Sequence, residues 1–154
     1  MIPGLGHYRI IRKLGEGDMG VVYEAHDERL DRAVAIKTLR AAVQGGEGRE
    51  RLWREARSLA RVSHPNICQI NDAEQEGDTV FLVLELLQGE TLAQRLNAGP
   101  VPAAEALGIE CQILRALDEL HRLSIVHRDL KPSNVFLTTN GVKLVDFGVA
   151  RIAA

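Results

Sequence analysis

The stretch from His127 to Gly148, reading HRDLKPSNVFLTTNGVKLVDFG, constrains this chain more than any other. Val135-Phe136-Leu137 and Val142-Lys143-Leu144-Val145 are short β-type runs. Asn140-Gly141 between them supplies the residues that a tight primed turn needs for positive φ. A reversal there predicts a hairpin whose open end brings Asn134 and Asp146 together, an amide oxygen beside a carboxylate. Asp129 and Lys131 lie close by in sequence. Hard oxygen ligands of this kind suit Mg²⁺, which completes its octahedron with water and substrate phosphates instead of an all-protein cage. Any one of these residues alone reads as an ordinary solvated charge on a surface hairpin. Their joint occurrence is much harder to explain that way.

HRDLKPSN followed by DFG resembles the catalytic loop and metal-binding motif of the protein kinase family, in the form typical of Ser/Thr kinases. The fold class this implies is α+β, a truncated kinase-like arrangement. It comprises a small lobe, residues 1–86, built from an antiparallel sheet and one helix, and part of a large lobe, residues 87–154, with hinge, catalytic loop and DFG.

Composition narrows the alternatives. The 154 residues suffice for one core, and 19 basic against 21 acidic residues leave a net charge of −2, with few aromatic residues. Nucleic-acid binding is therefore not expected, since it needs a basic footprint and stacking platforms. Cys68 and Cys111 have neither metal-ligand spacing nor a disulfide pattern, which points to a reducing compartment and apolar filler roles. No signal peptide or apolar run of membrane-spanning length is visible. The expected location is cytoplasmic, or the cytosolic part of a longer, membrane-anchored protein.

Upstream, Tyr8 to Leu14 predicts a strand that runs into Gly15-Glu16-Gly17-Asp18-Met19-Gly20 and continues as Val21 to Ala25. A lone G-x-G-x-x-G fits a plain hairpin or a dinucleotide fingerprint, but the latter must open a helix, and Val21-Val22-Tyr23 favours a strand. Walker-type binding is excluded because the chain has no Gly-Lys dipeptide. Gly45 to Gly48 reads as a flexible connector. From Arg49 to Val62, Leu52, Ala56, Leu59 and Ala60 form an apolar helical stripe with Glu55 on its flank. His64-Pro65 ends that helix. Strands are expected over Ile67–Asn71 and Thr79–Leu84, a short helix over Thr91–Asn97, and the longest helix from Pro102 to Arg122. The stripe Ala106, Ile109, Ile113, Ala116, Leu117 and Leu120 on that last helix reads as core.

The resemblance assigns roles to these positions. Leu14, Gly15, Glu16, Gly17, Gly20, Val22, Ala35 and Phe136 would surround ATP, and Lys37, in Val-Ala-Ile-Lys, would hold its α- and β-phosphates. Glu55, favoured over Glu50, would pair with Lys37. Leu84 would be the gatekeeper, with the Glu85 carbonyl and Leu87 amide bonding the adenine edge. Glu90 matches a position where some kinases contact the ribose, and reads equally well as a solvated acid at a helix start. Asp129 would orient and accept the hydroxyl proton of a protein Ser or Thr, Lys131 would steady the γ-phosphate, and Asn134 and Asp146 would hold Mg²⁺. Arg128 implies that a phosphorylated loop docks beside Asp129.

The implied activity is phosphoryl transfer from ATP to protein Ser/Thr hydroxyls. The alternative is a pseudokinase-like nucleotide-binding module without turnover. The chain ends soon after Asp146, so the expectation is a fragment whose last long helix leaves an apolar face bare, with poor solubility.

Overall fold

A computed structural model describes residues 4–17, 20–39 and 46–145, except for the side chains of 46–49, Arg51, Leu52 and Glu55. Asp18 and Asp146 thus lie outside the described residues, as does the Glu55 side chain and with it the expected pair to Lys37. Two compact units form. One takes the chain to Arg61 together with Gln69–Leu86; the other takes Val62–Cys68 together with the residues from Leu87 on.

The first unit is a five-stranded antiparallel sheet in the order β1-β2-β3-β5-β4, with β1 Tyr8–Gly17, β2 Gly20–Asp27, β3 Arg32–Leu39, β4 Ile70–Glu76 and β5 Thr79–Glu85. Side chains alternate across a strand, so residues directly opposite one another share a face. One face buries Tyr8, Ala25, Val34, Ile36, Phe81 and Val83, with Tyr8 and Phe81 in an edge-to-face contact at 6.1 Å. The β2–β3 turn is closed by the buried Asp27, whose carboxylate accepts from the Arg29 and Leu30 amides at 2.9 and 3.0 Å and lies 3.5 Å from His7. Burial alone would raise this carboxyl, but those two amides, with His7 and Arg32 nearby, hold it below the ordinary aspartate value.

Helix α1, Gly46–Leu59, includes Gly46, Glu47 and Gly48, where the sequence predicts a connector. The N–H groups of the first helical turn have no intrahelical acceptors, so glycines there disrupt the fewest helix bonds. Ala56 and Leu59 of its stripe are buried. The strand expected at Ile67–Asn71 begins at Ile70 instead; Ile67 makes an isolated parallel bridge to Leu144 in the second unit.

The second unit holds a three-stranded sheet, β6-β7-β8, from Gly89–Thr91, Val135–Thr138 and Gly141–Leu144. Helix α2, Leu92–Asn97, starts with a capping box in which Thr91 and Gln94 exchange bonds. Helix α3, Ala103–Arg122, packs on β8. Ile109, Ala116 and Leu120 of its stripe are buried, and Ala106, Ile113 and Leu117 are half-buried, so the stripe read as core is largely covered, while the bare apolar surface expected on this helix falls on other residues. The exposed apolar positions, Leu107 and Leu114 at 61% and 63%, are on neither of those stripe positions. No helix among the described residues is long and apolar enough to cross a membrane.

Candidate active site

Within the first unit the strand register gathers the predicted nucleotide residues. Val22 lies opposite Lys37, which lies opposite Leu82; Glu24, Ala35 and Leu84 form the next row. Val22, Ala35, Lys37 and Leu84 therefore share the sheet face opposite the Tyr8–Phe81 core. Gly15 pairs with Val22 across a β-bulge, which joins it to the same row. Lys37 and Ala35 are buried, Val22 and Leu84 half-buried, and Leu14 and Glu16 exposed. Gly17 pairs with Gly20. Gly20 has a φ of 144°, and a Cβ there would fall 1.7 Å from the Thr38 carbonyl oxygen. Close approach of the neighbouring strand is thus enough to require this glycine. Glu85 uses its side chain locally, accepting from the Gln69 amide at 3.0 Å.

In the second unit Leu87 is half-buried in the connection to β6, Glu90 is exposed on β6 opposite Leu137, and Phe136 is half-buried on β7. The hairpin turns one residue earlier than predicted. Thr138 pairs with Gly141, leaving Thr139 and Asn140 as the loop, and of the expected Asn140-Gly141 pair only Gly141 has a positive φ, 109°. The Thr138 hydroxyl accounts for the change: it donates to the Gly141 carbonyl at 2.7 Å and accepts from the Asn140 amide at 3.2 Å. The residue across from Asn134 is in consequence Val145, whose amide donates to the Asn134 carbonyl at 3.0 Å, and Asp146 follows it in the chain.

Asn134 closes a 3₁₀ turn, Pro132–Asn134, and is buried. Its Nδ2 donates to the Asp129 carbonyl at 2.8 Å and to Asp129 Oδ2 at 3.1 Å. These two bonds fix the amide's orientation and leave Oδ1 without a hydrogen-bond partner among the described residues. A buried amide oxygen with no partner is costly unless something meets it, and an oxygen donor is what a hard cation takes. Lys131 Nζ stands 3.5 Å from Asp129 Oδ2. His127, to which the sequence reading gave no role, is buried and ties the loop down: its Nδ1 accepts from the Asp129 amide at 3.2 Å, so its Nε2 donates to the Val145 carbonyl at 2.9 Å. Arg128 between them holds a left-handed φ of 68°, an uncommon conformation for a residue with a side chain.

The protein kinase domain family matches residues 8–154 of this sequence. The chain belongs to the protein kinase family. It is 41% identical over 152 residues to serine/threonine-protein kinase pkn2 of Myxococcus xanthus, a match covering 96% of this chain and 18% of that protein. It is 43% identical over 148 residues to serine/threonine-protein kinase PrkC of Bacillus subtilis, covering 94% of this chain and 23% of that one. Among solved structures, the PknI kinase domain of Mycobacterium tuberculosis superposes with a TM-score of 0.83 at 30% identity, covering 96% of this chain and 60% of that one. The kinase chain described here thus spans under a quarter of either curated relative. Within that span the protein kinase fold accounts for the five-stranded sheet and the elements after it.

Besides His127, the kinase residues that sequence reasoning missed are Asn66 and Gln112. Asn66 was visible only as part of a helix stop, and Gln112 as a polar neighbour of the α3 stripe. Asn66 is buried and Gln112 half-buried, and the only sequence signal was an amide side chain at each place.

Proposed function

We propose that this protein transfers the γ-phosphoryl group of ATP to a Ser or Thr hydroxyl of a protein, with Mg²⁺ as cofactor. The observation that carries the reading is the Asn134–Asp129 arrangement, in which one amide orients the carboxylate with its nitrogen and keeps its oxygen without a hydrogen-bond partner among the described residues. On the first unit, Val22, Ala35 and Leu84 offer an apolar surface for a base, and Lys37 on the same face offers a compact cation for phosphates. On the second, the Asp129 carboxylate is held by Asn134 Nδ2 and by the His127-anchored backbone, oriented to align a hydroxyl and take its proton. Lys131 lies close enough to Asp129 to balance its charge and to meet a transferring phosphoryl group. Asn134 Oδ1 and Asp146 would hold Mg²⁺, which when bound offsets negative charge on the phosphate oxygens. The choice of a protein Ser/Thr acceptor is supported by Lys131 two residues after Asp129 and by the names of the relatives.

The test is transfer of labelled phosphate from ATP to a generic protein substrate by the protein at its full natural length. Asp129→Asn is expected to cut transfer by at least ~100-fold and leave Mg-ATP binding within about twofold of the parent. Binding by the parent without any transfer would replace this reading with that of a nucleotide-binding module.

A further inference from the structure

The β8 strand lies at the edge of its sheet, with β7 on one side. An edge strand presents a row of N–H and C=O groups that need partners when buried, and Val142 and Leu144 are both buried. On the side away from β7, two side-chain amides take the place of a neighbouring strand at Val142. Gln112 Oε1 accepts from the Val142 amide at 2.9 Å, and Asn66 Nδ2 donates to the Val142 carbonyl at 3.0 Å. The two amides are also joined to each other, Asn66 Nδ2 to Gln112 Oε1 at 3.0 Å. Both protons of the Asn66 amide and both lone pairs of the Gln112 oxygen are thereby used. Main chain takes over at the next position, where the Leu144 amide donates to the Asn66 carbonyl at 2.8 Å and the Cys68 amide to the Leu144 carbonyl at 2.9 Å. Val145 is then held by Asn134 and His127. The glycine at 141 belongs to the same device, since a Cβ there would lie 2.6 Å from Gln112 Oε1 and push the amide off Val142.

Every outward backbone group of Val142 and Leu144, and both backbone groups of Val145, are thus fixed immediately before Asp146. We propose that Asn66 and Gln112 are positioning residues, a paired-amide clamp that sets where β8 delivers Asp146 to Mg²⁺. The inference rests on the metal role given to Asp146 above. Mg²⁺ demands near-ideal octahedral geometry, so slack in the strand carrying a ligand weakens the site even when the ligand itself is intact.

The experiment compares ATP affinity with Mg²⁺ and with a chelator in the protein at its full natural length, together with amide hydrogen exchange at Val142. Gln112→Met keeps the side chain's size and removes the acceptor. It is expected to leave metal-free ATP affinity unchanged, to reduce the Mg²⁺ enhancement about tenfold, and to speed exchange at Val142. Gln112→Glu keeps an acceptor oxygen and is expected to retain the enhancement. Asn66→Ala, which removes Nδ2 but leaves the Asn66 carbonyl bond to Leu144, carries the expectation of Q112M and replaces it if that variant does not fold. An undiminished Mg²⁺ enhancement in Q112M or N66A overturns the clamp alone. So does an equal loss in Q112E and Q112M, which would mark general packing instead of positioning. Absence of any Mg²⁺ enhancement in the parent would overturn the metal assignment itself and this inference with it.

Discussion

Asn134 donates both of its amide protons to Asp129, one to the carbonyl at 2.8 Å and one to the carboxylate at 3.1 Å. The two residues therefore act as one unit, and changing either disturbs the other. Asn134→Asp keeps an oxygen for a metal but sets a second carboxylate where a donor now stands. Like charges at that separation resist joint ionisation and turn Asp129 away from its present orientation. Phosphate transfer is expected to fall about 100-fold while Mg-ATP still binds, measured by initial rates alongside calorimetric titration. Unchanged transfer would show that the orienting bond is dispensable.

Two glycines of one loop should fail for different reasons. Gly20→Ala places a methyl against the Thr38 carbonyl at a φ only glycine adopts readily, and is expected to cost about 3 kcal/mol or more in chemical unfolding. Gly15 has nothing within 4 Å of an added Cβ, so Gly15→Ala is expected to change stability by less than about 1 kcal/mol. Any loss of ATP affinity in Gly15→Ala then reports on the ligand rather than on folding. Equal destabilisation by the two substitutions would contradict this division.

The Asp27 carboxyl lies below its ordinary value in the folded chain, so it stabilises the fold above the unfolded pKa and loses that contribution as pH falls through the folded one. Asp27→Asn is accordingly expected to melt several degrees below the parent at pH 7, with the gap closing as the solution is acidified below about pH 4. Thermal melts across pH check this. A gap that widens in acid would reverse the assigned sign.

Local patterns made much of this fold legible. The β-branched runs around Lys37 and the stripes of α1 and α3 marked strands and helices because period and burial agree there. The register that places Val22, Ala35, Lys37 and Leu84 on one face follows from strand pairing, which sequence alone indicates only through family likeness. The hairpin turn was displaced because the Thr138 hydroxyl makes two bonds that propensity at Asn140-Gly141 does not anticipate. Asn66, Gln112 and His127 escaped notice for a related reason. Their partners lie between 2 and 76 residues away, and the decisive bonds are the distant ones.

Ile67 and Cys68 lie along Leu144, although the chain reaches them before it has built β4 and β5. The chain enters the second unit at Val62, returns to the first at Gln69 and leaves it again at Leu87, so no single cut in the sequence separates the two. A polypeptide begun at Leu87 would carry β8 with its outer rim stripped, and the missing heptad Val62–Cys68 is the natural plug for it. Splitting this kinase into halves thus creates a pair that must recombine through strand complementation before the segment leading to Asp146 is rigid again.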